Sequence, residues 1–324
     1  MIIPIVGASA LEFWLSGVSR KKESILKQRV SIPENCCCVF HSDQYELVAQ
    51  KLCLSLPLHV MTGKASERRK NGYVHSIKCP SHLPDNSFIK LDNNIYVSSP
   101  ELCFVQMAKL LPIAKLVELA DDLCGIYALD KNSNYEQISS TQIVTVKTII
   151  DFIQRAIKYP GVKKARQAIQ YAVDGSNSPR ESMLVALSVL HLSLGGYGLS
   201  KPEANKDIWL PDDVAEFFGR QSCCCDLVWE KQKVVVEYDS NLSHLSVKQH
   251  TRDKRRYNAL NMAGYHVFSI TAEDMKSFKD IEKTFLSLRK ILGFRADTST
   301  LAKYETIRWK TVHTIVFDSW RSYL

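Results

Sequence analysis

The spacing of apolar and polar positions divides the chain into helical and extended segments. The pattern predicts helices at residues 8–19, 43–54, 143–158, 161–173, 179–194, 245–263 and 272–292, with further helices beginning at Ser99-Pro100 and near Pro112. It predicts short strands at 56–62, 73–79, 93–97, 207–210, 223–229, 233–239 and 265–271. This order predicts an α/β protein in which mixed sheets are flanked by helices.

The length and the loop composition predict a chain of more than one domain. A chain of 324 residues is comfortable for two domains. The polar stretch 130–142 is the best linker candidate, and Asp174 to Pro179 is a clear loop. We therefore expect four parts: a smaller N-terminal α/β domain (1–142), a helical connector (143–177), a second α/β domain (178–293) and a C-terminal appendage (294–324).

Composition excludes several classes of protein. No apolar run reaches the roughly 18 to 20 residues that span a bilayer, so we expect no membrane contact. Pro4 and Glu12 interrupt the apolar N-terminus, which argues against a secretory signal. The ten cysteines include triplets at 36–38 and 223–225 but no CxxC pair. We interpret the triplets as small buried hydrophobic residues with reduced thiols, which predicts a cytoplasmic protein; metal or redox use is the alternative.

Positive charge is concentrated in three clusters. The 42 basic and 34 acidic side chains give 42 − 34 = +8. Residues 64–70 hold four basic residues against one acid, residues 248–256 hold five against one, and Lys163, Lys164 and Arg166 form the third cluster. Any one cluster is usually a solvated face, but three together indicate contact with nucleic acid.

One hairpin carries the clearest chemistry, in the sequence CCCDLVWEKQKVVVEYD at 223–239. If Lys231-Gln232 form a two-residue turn, Asp226 falls opposite Glu237, and Asp239 shares the face of Glu237. Carboxylates this close repel one another, and their hard oxygens suit Mg²⁺ or Mn²⁺. The alternative is a solvated strand end. The apolar run Val234 to Val236 argues against it, because it indicates a strand buried on both faces.

These residues belong to a longer pattern that resembles a known family. The pattern consists of Asp226, Glu237-Tyr238-Asp239, His244, Asp253, Arg256, Leu260 and Gly264-Tyr265. It is similar to the very-short-patch-repair-like branch of the PD-(D/E)XK nuclease superfamily, over about 115 residues. The resemblance implies a restriction-endonuclease-like core in the C-terminal half, with Mg²⁺ or Mn²⁺ as cofactor.

The resemblance also implies roles for individual residues. Asp226 and Glu237 are expected to bind metal, and Asp239, which stands where many relatives have lysine, is a further candidate ligand. His244 matches a histidine that assists proton transfer in this branch. Glu181 matches a carboxylate that relatives place on the helix before the hairpin. Its position in Ser178-Pro179-Arg180-Glu181 is equally explained by a capping box, and the two roles compete for one side chain.

The helix after the hairpin is the candidate nucleic-acid interface. Arg252 and Arg256 lie four residues apart on one face, and Asp253 can pair with Arg256. We expect this helix to hold phosphates without reading base sequence. The candidate residues are Lys248, Arg252, Arg255 and Arg256. A salt-bridged amphipathic helix is the alternative for any single arginine.

The N-terminal half shows a weaker resemblance. The motifs SALEFW at 9–14, LHV at 58–60, the basic turn, His75 and VSSPE at 97–101 look like the C-terminal domain of abortive-infection antitoxins of the AbiEi type. This implies a helper domain that recognises a substrate or partner protein. The sequence therefore predicts a metal-dependent endonuclease (a hydrolase) acting on DNA, in a phage-defence or toxin–antitoxin-like setting. A catalytically inactive nucleic-acid-binding regulator and an RNA nuclease with the same site are the alternatives.

Overall fold

A computed structural model describes residues 2–20, 26–31, 41–80, 82–130, 136–239, 247–295 and 298–318. The described chain forms two compact units, residues 2–170 and residues 171–318. Each has its own mixed sheet, so the mixed α/β class predicted from the sequence is confirmed. None of the described helices is long and apolar enough to cross a membrane.

The first unit is built on a six-stranded mixed sheet in the order β2-β5-β6-β1-β3-β4, beside a separate β7–β8 hairpin. Its strands are β1 Ile3–Ile5, β2 Arg29–Val30, β3 Leu58–Thr62, β4 Val74–Lys78, β5 Phe88–Lys90, β6 Ile95–Ser98, β7 Tyr127–Asp130 and β8 Glu136–Ser139. Its helices are α1 Gly7–Leu15, α2 Gly17–Arg20, α3 Ser42–Leu52, α4 Pro100–Met107, α5 Ile113–Leu123, α6 Val146–Arg155 and α7 Val162–Ile169.

The core of the first unit lies around the short strand β1. This strand runs parallel to β6 and antiparallel to β3, so residues about 55 and 92 positions away in sequence flank it. The helices α1 and α4 that pack beside it are buried along almost their whole length. The Trp14 side chain is fully buried and its Nε1 donates to the Ser98 carbonyl at 2.8 Å, which satisfies the one polar group of this side chain.

Capping explains where two of the helices begin. Ser99 Oγ accepts from the Leu102 amide at 3.3 Å with Pro100 in the first turn of α4, as the sequence predicted. In the second unit, Ser178 Oγ accepts from the Glu181 amide at 3.1 Å and Pro179 is the first residue of the helix. Both starts satisfy amides that have no partner inside the helix.

The second unit contains a four-stranded sheet in the order β12-β11-β10-β9. Its strands are β9 Glu203–Trp209, β10 Ser222–Trp229, β11 Val234–Asp239 and β12 His266–Thr271, and its helices are α8 Pro179–Val189, α9 Asp212–Phe218, α10 Val247–Met262, α11 Phe278–Ile291 and α12 Thr298–Phe317. The pairs β9–β10 and β10–β11 are antiparallel, and β11–β12 is parallel. Side chains from α9, α10 and this sheet form one buried apolar cluster.

Three segments differ from the sequence interpretation. Part of the predicted linker, 136–139, is strand β8, and the helices of the predicted connector, α6 and α7, pack on α4 and α5 in the first unit. The predicted C-terminal appendage contains the long helix α12, which packs against α8 and α11. There the buried Arg308 donates to Glu282 Oε1 at 2.6 Å.

Candidate active site

The candidate site lies where strands β10 and β11 stop pairing. Their register pairs Leu227 with Val236, as the sequence analysis predicted, and the next opposed positions are Asp226 and Glu237. There the Asp226 carboxylate replaces the backbone ladder, since its Oδ2 accepts from the Tyr238 amide at 2.7 Å. This bond fixes Asp226 against the end of β11 and leaves the two carboxylates at one edge of the paired region.

The connection between these strands differs from the predicted two-residue turn. Residues 230–232 form a 3-10 turn, and Lys233 closes it in the left-handed region at φ 53°. A four-residue connection has the same midpoint as a two-residue one, so the register is unchanged. The register predicted for the acidic residues is therefore correct, although the predicted type of turn is wrong.

Glu237 is the most perturbed carboxylate of the site. Its side chain is 16% exposed and its Oε1 accepts from the Arg256 guanidinium at 2.7 Å. Burial, followed by the charge of Asp226, raises the pKa of Glu237 to about 8, and the Arg256 charge opposes this shift without cancelling it. A negative charge on Glu237 in addition to that on Asp226 is thus unfavourable unless a cation lies close to both.

Asp226 and Glu181 belong to the same electrostatic cluster. Burial raises the pKa of Asp226. Burial, followed by the Asp226 charge, raises the pKa of Glu181, so α8 brings this third carboxylate close to the hairpin. The structure therefore places Asp226 and Glu237 side by side on the hairpin, and the charge of Asp226 also acts on Glu181 of α8.

Glu181 lies in the helix cap, but its carboxylate does not complete the predicted capping box. The Ser178 cap forms, but Glu181 Oε2 accepts from the Asn177 amide at 2.8 Å, one residue before the capping residue. The same oxygen accepts from Asn205 Nδ2 at 2.6 Å. Asn205 lies on β9 with φ 49° and was not singled out in the sequence, where nothing local marks an asparagine on a neighbouring strand as a partner of a helix carboxylate.

Of the two remaining candidates, Asp239 lies within the described residues and His244 does not. Asp239 ends β11, half-buried and in register with Thr271 of the parallel strand β12. It lies two residues beyond Glu237 on the same strand, and side chains at this spacing share one face of a strand. His244 lies outside the described residues, as does Ser240.

Arg256 connects α10 to the acidic pair Asp226 and Glu237. Its contact with Glu237 was not predicted from the sequence. Besides Glu237, it donates to the Cys224 carbonyl, and its Nε donates to Cys223 Sγ at 3.2 Å. Asp253, proposed from the sequence as its partner, is exposed on the helix. The guanidinium is thus held by three acceptors from the hairpin, which fixes α10 over the acidic end of the sheet.

The cysteine triplet at 223–225 is buried in part. Cys223 and Cys225 are buried and Cys224 is exposed, and all three are free thiols. A hydrogen bond from the neighbouring Cys225 thiol, with further help from the Arg256 charge, lowers the pKa of Cys223 to about 6. Cys223 therefore accepts from Arg256 through its sulfur, which an interpretation as inert packing did not anticipate.

The remaining candidate phosphate contacts lie along α10. Arg252 and Arg255 are exposed, and Lys248 lies in the first turn of the helix. Arg256 differs from them because it turns towards the sheet and is only 34% exposed. The helix thus presents exposed cations to solvent, while Arg256 supplies positive charge to the acidic centre, which we define as Asp226 and Glu237.

Comparison of the chain with protein-family models, with curated proteins and with solved structures finds no match.

The donor set can be tested for its fit to a divalent cation. Within the described residues, no group of three or more His, Cys, Asp or Glu side chains is arranged to hold a metal ion. Two adjacent carboxylates, Asp226 and Glu237, nevertheless supply hard oxygens in a place where their mutual repulsion calls for a cation. Mg²⁺ is commonly bound by one or two carboxylates together with waters and substrate phosphates. The residues fit such a partial site, not a cage of protein ligands.

The raised pKa of Glu237 predicts how stability changes with pH. The folded protein holds this proton more tightly than the unfolded chain, where the pKa is about 4.5, so its contribution is fully present below about pH 4.5 and is lost as the pH rises through about 8. We therefore expect the free energy of unfolding of the wild type, relative to Glu237→Gln, to fall between pH 5 and pH 9 without divalent ions. Urea unfolding at pH 5, 7 and 9 measures this difference.

Glu216→Gln is the matched control, because Glu216 is an exposed glutamate on α9. Its difference from the wild type should stay constant over the same pH range. If the difference in unfolding free energy between the wild type and Glu237→Gln were also constant with pH, it would contradict the raised pKa of Glu237.

Proposed function

We propose that the second unit is a divalent-metal-dependent nuclease domain with a restriction-endonuclease-like core, and that it hydrolyses phosphodiester bonds of DNA. One observation carries the proposal: the carboxylates of Asp226 and Glu237 are brought together, partly desolvated, at the open end of a β hairpin, and the Asp226 charge also acts on Glu181. Structural ion pairs do not require this crowding, and perturbed carboxylates of this kind cluster at functional sites. The element order α8, β9, α9, β10, β11, α10, β12 contains the helix–hairpin–helix–strand succession of the family that the sequence resembles, with α9 as an additional helix before the hairpin.

The chain's own residues have distinct parts in this proposal. Asp226 and Glu237 would hold the cation, and Glu181, fixed by Asn177 and Asn205, would add negative charge beside them. When bound, the cation lowers the pKa of a water and polarises the scissile phosphate. Arg252 and Arg255, both exposed on α10, would hold the phosphate backbone of the substrate. Asp239 and His244 remain predicted contributors, as further ligand and as proton carrier.

A second candidate function is supported by the Arg256 contact. The guanidinium already supplies a positive charge to Glu237 at 2.7 Å, so the acidic centre is partly neutralised by the chain itself. A nucleic-acid-binding regulator that keeps the fold without catalysis would have this arrangement. The two candidates differ in whether a divalent ion changes the behaviour of the protein.

The deciding experiment compares substrates and metals in parallel. Duplex DNA, single-stranded DNA and RNA are incubated with the full chain in Mg²⁺, in Mn²⁺ and in chelator, and the products are resolved by electrophoresis. We expect cleavage of DNA that requires the divalent ion. Cleavage of RNA alone would assign the same site to an RNA nuclease. Binding without cleavage under every condition, and without measurable Mn²⁺ affinity by calorimetry, would favour the regulator.

A further inference from the structure

A second cationic site lies in the first unit, on the segment that joins the parallel strands β3 and β4. We define the basic segment as residues 64–70, with the sequence KASERRK. Its four cations, Lys64, Arg68, Arg69 and Lys70, are all exposed. Among the described residues, no salt bridge pairs any of the four with an acid. The only acid in the segment, Glu67, accepts instead from the Thr62 hydroxyl at 2.8 Å.

The basic segment is held in place by hydrogen bonds to the edge of the sheet. The Ser76 amide donates to the Arg69 carbonyl at 2.8 Å, and the Ser76 hydroxyl accepts from the Arg69 amide. Lys70 forms an isolated antiparallel bridge with His75. The backbone that carries the cations is thus ordered before any ligand binds, which lowers the entropic cost of binding.

Two histidines lie beside these cations. His59 and His75 are opposed on β3 and β4, with ring centroids 5.3 Å apart. Ser9 Oγ accepts from the His59 amide at 2.9 Å and lies 3.2 Å from His59 Nδ1. The hydroxyl proton is therefore available to Nδ1, and in that tautomer Nε2–H is a donor. Burial, followed by the charges of Lys70 and Arg68, lowers the pKa of His75, so both cations act on its ring.

We propose that the basic segment, together with His75, is a docking surface for the phosphate backbone of duplex DNA. Four exposed cations with no acidic partner among the described residues complement a regular array of phosphates, and one of them, Arg69, is oriented by hydrogen bonds to the Ser66 and Arg68 carbonyls. The segment contains no aromatic side chain, whereas surfaces that bind single strands combine charge with aromatic stacking. The basic segment belongs to the first unit, so this proposal does not depend on catalysis at the acidic centre of the second unit.

A plainer explanation exists and gives a different outcome. The strand β4 is at the edge of its sheet, and basic residues at such an edge prevent pairing with other chains. That role requires exposed charge but no affinity for DNA. The two explanations therefore separate in a binding measurement.

The test measures binding of a fluorescently labelled 20-base-pair duplex to the full chain by anisotropy, in chelator, over a series of salt concentrations. The double variant Arg68→Ala/Lys70→Ala is compared with Lys279→Ala/Lys283→Ala, which removes the same charge from two exposed lysines of α11. We expect the first variant to weaken binding about tenfold or more and to reduce the salt slope by about two, since each lost phosphate contact lowers that slope by about 0.9. The control should change affinity by less than about twofold.

Equal losses in the two double variants would overturn the proposal, because the effect would then be one of net charge alone. A loss confined to single-stranded RNA, run as a parallel arm, would also overturn it. The same measurements in the Glu237→Gln background keep the result separate from the nuclease proposal, because failure to cleave DNA leaves this binding prediction intact.

Discussion

Replacing Glu237 with glutamine should reduce metal-dependent cleavage by about 10³-fold or more, which corresponds to roughly 4 kcal/mol of transition-state stabilisation. The glutamine keeps the shape of the side chain and an oxygen that can accept from Arg256, so the fold has no reason to change. It removes the negative charge that, together with Asp226, creates the demand for a cation. Initial rates at saturating Mn²⁺ measure the loss.

Two controls separate this effect from a general one. Glu216→Gln changes an exposed carboxylate on α9 and should retain wild-type activity. DNA binding by Glu237→Gln, measured in chelator, should stay within about twofold of the wild type. If Glu237→Gln retains more than a tenth of the wild-type rate, the acidic centre is not the catalytic site and the nuclease proposal fails.

Local pattern predicted the parts of the site that lie on one hairpin. The alternation of side chains along a strand and the polar residues between two β-rich runs are enough to set the register of the hairpin. The pairing of Leu227 with Val236 confirms this register, and Asp226 and Glu237 follow directly beyond that pair. The turn itself was predicted incorrectly, because a 3-10 turn closed by a left-handed lysine has no strong sequence signal. Register was robust because it depends on the midpoint of the connection.

Contacts between distant segments were not predictable in the same way. The spacing rule for helices paired Arg256 with Asp253, three residues away, but the structure pairs Arg256 with Glu237 on another element. The rule describes an isolated helix, and burial of the Glu237 carboxylate makes it the stronger acceptor. The same limit applies to Asn205 and Glu181, which meet because β9 passes close to the start of α8.

The fold was predicted best where elements are long and periodic. The strand β1 has three residues and no measurable periodicity, yet it occupies the interior of the six-stranded sheet. Its place depends on pairing with β6, more than 90 residues later. The helix α9 has only seven residues, and the strand β8 is short and polar, so neither gives a clear periodic signal. Tertiary pairing, not local preference, determines these elements.

Replacing Arg256 with methionine should destabilise the second unit by about 2 kcal/mol at pH 9. Removing one partner of a buried ion pair costs about 3–5 kcal/mol, and we reduce this figure because Arg256 is 34% exposed. The loss arises because the Glu237 carboxylate, ionised at this pH, keeps its burial and its repulsion from Asp226 but loses its counter-ion. Urea unfolding in chelator measures it. Arg255→Met, an exposed change on the same helix, should cost less than about 0.5 kcal/mol.

The double variant Glu237→Gln/Arg256→Met tests this cause directly. If the unpaired carboxylate is responsible, removing its charge should restore most of the lost stability, so the two changes are strongly non-additive. Mn²⁺ should also stabilise Arg256→Met more than it stabilises the wild type, because in the wild type the ion competes with the guanidinium for Glu237. A double variant no more stable than Arg256→Met alone would instead attribute the loss to the Cys223 and Cys224 contacts, and the acidic pair would then need no counter-ion.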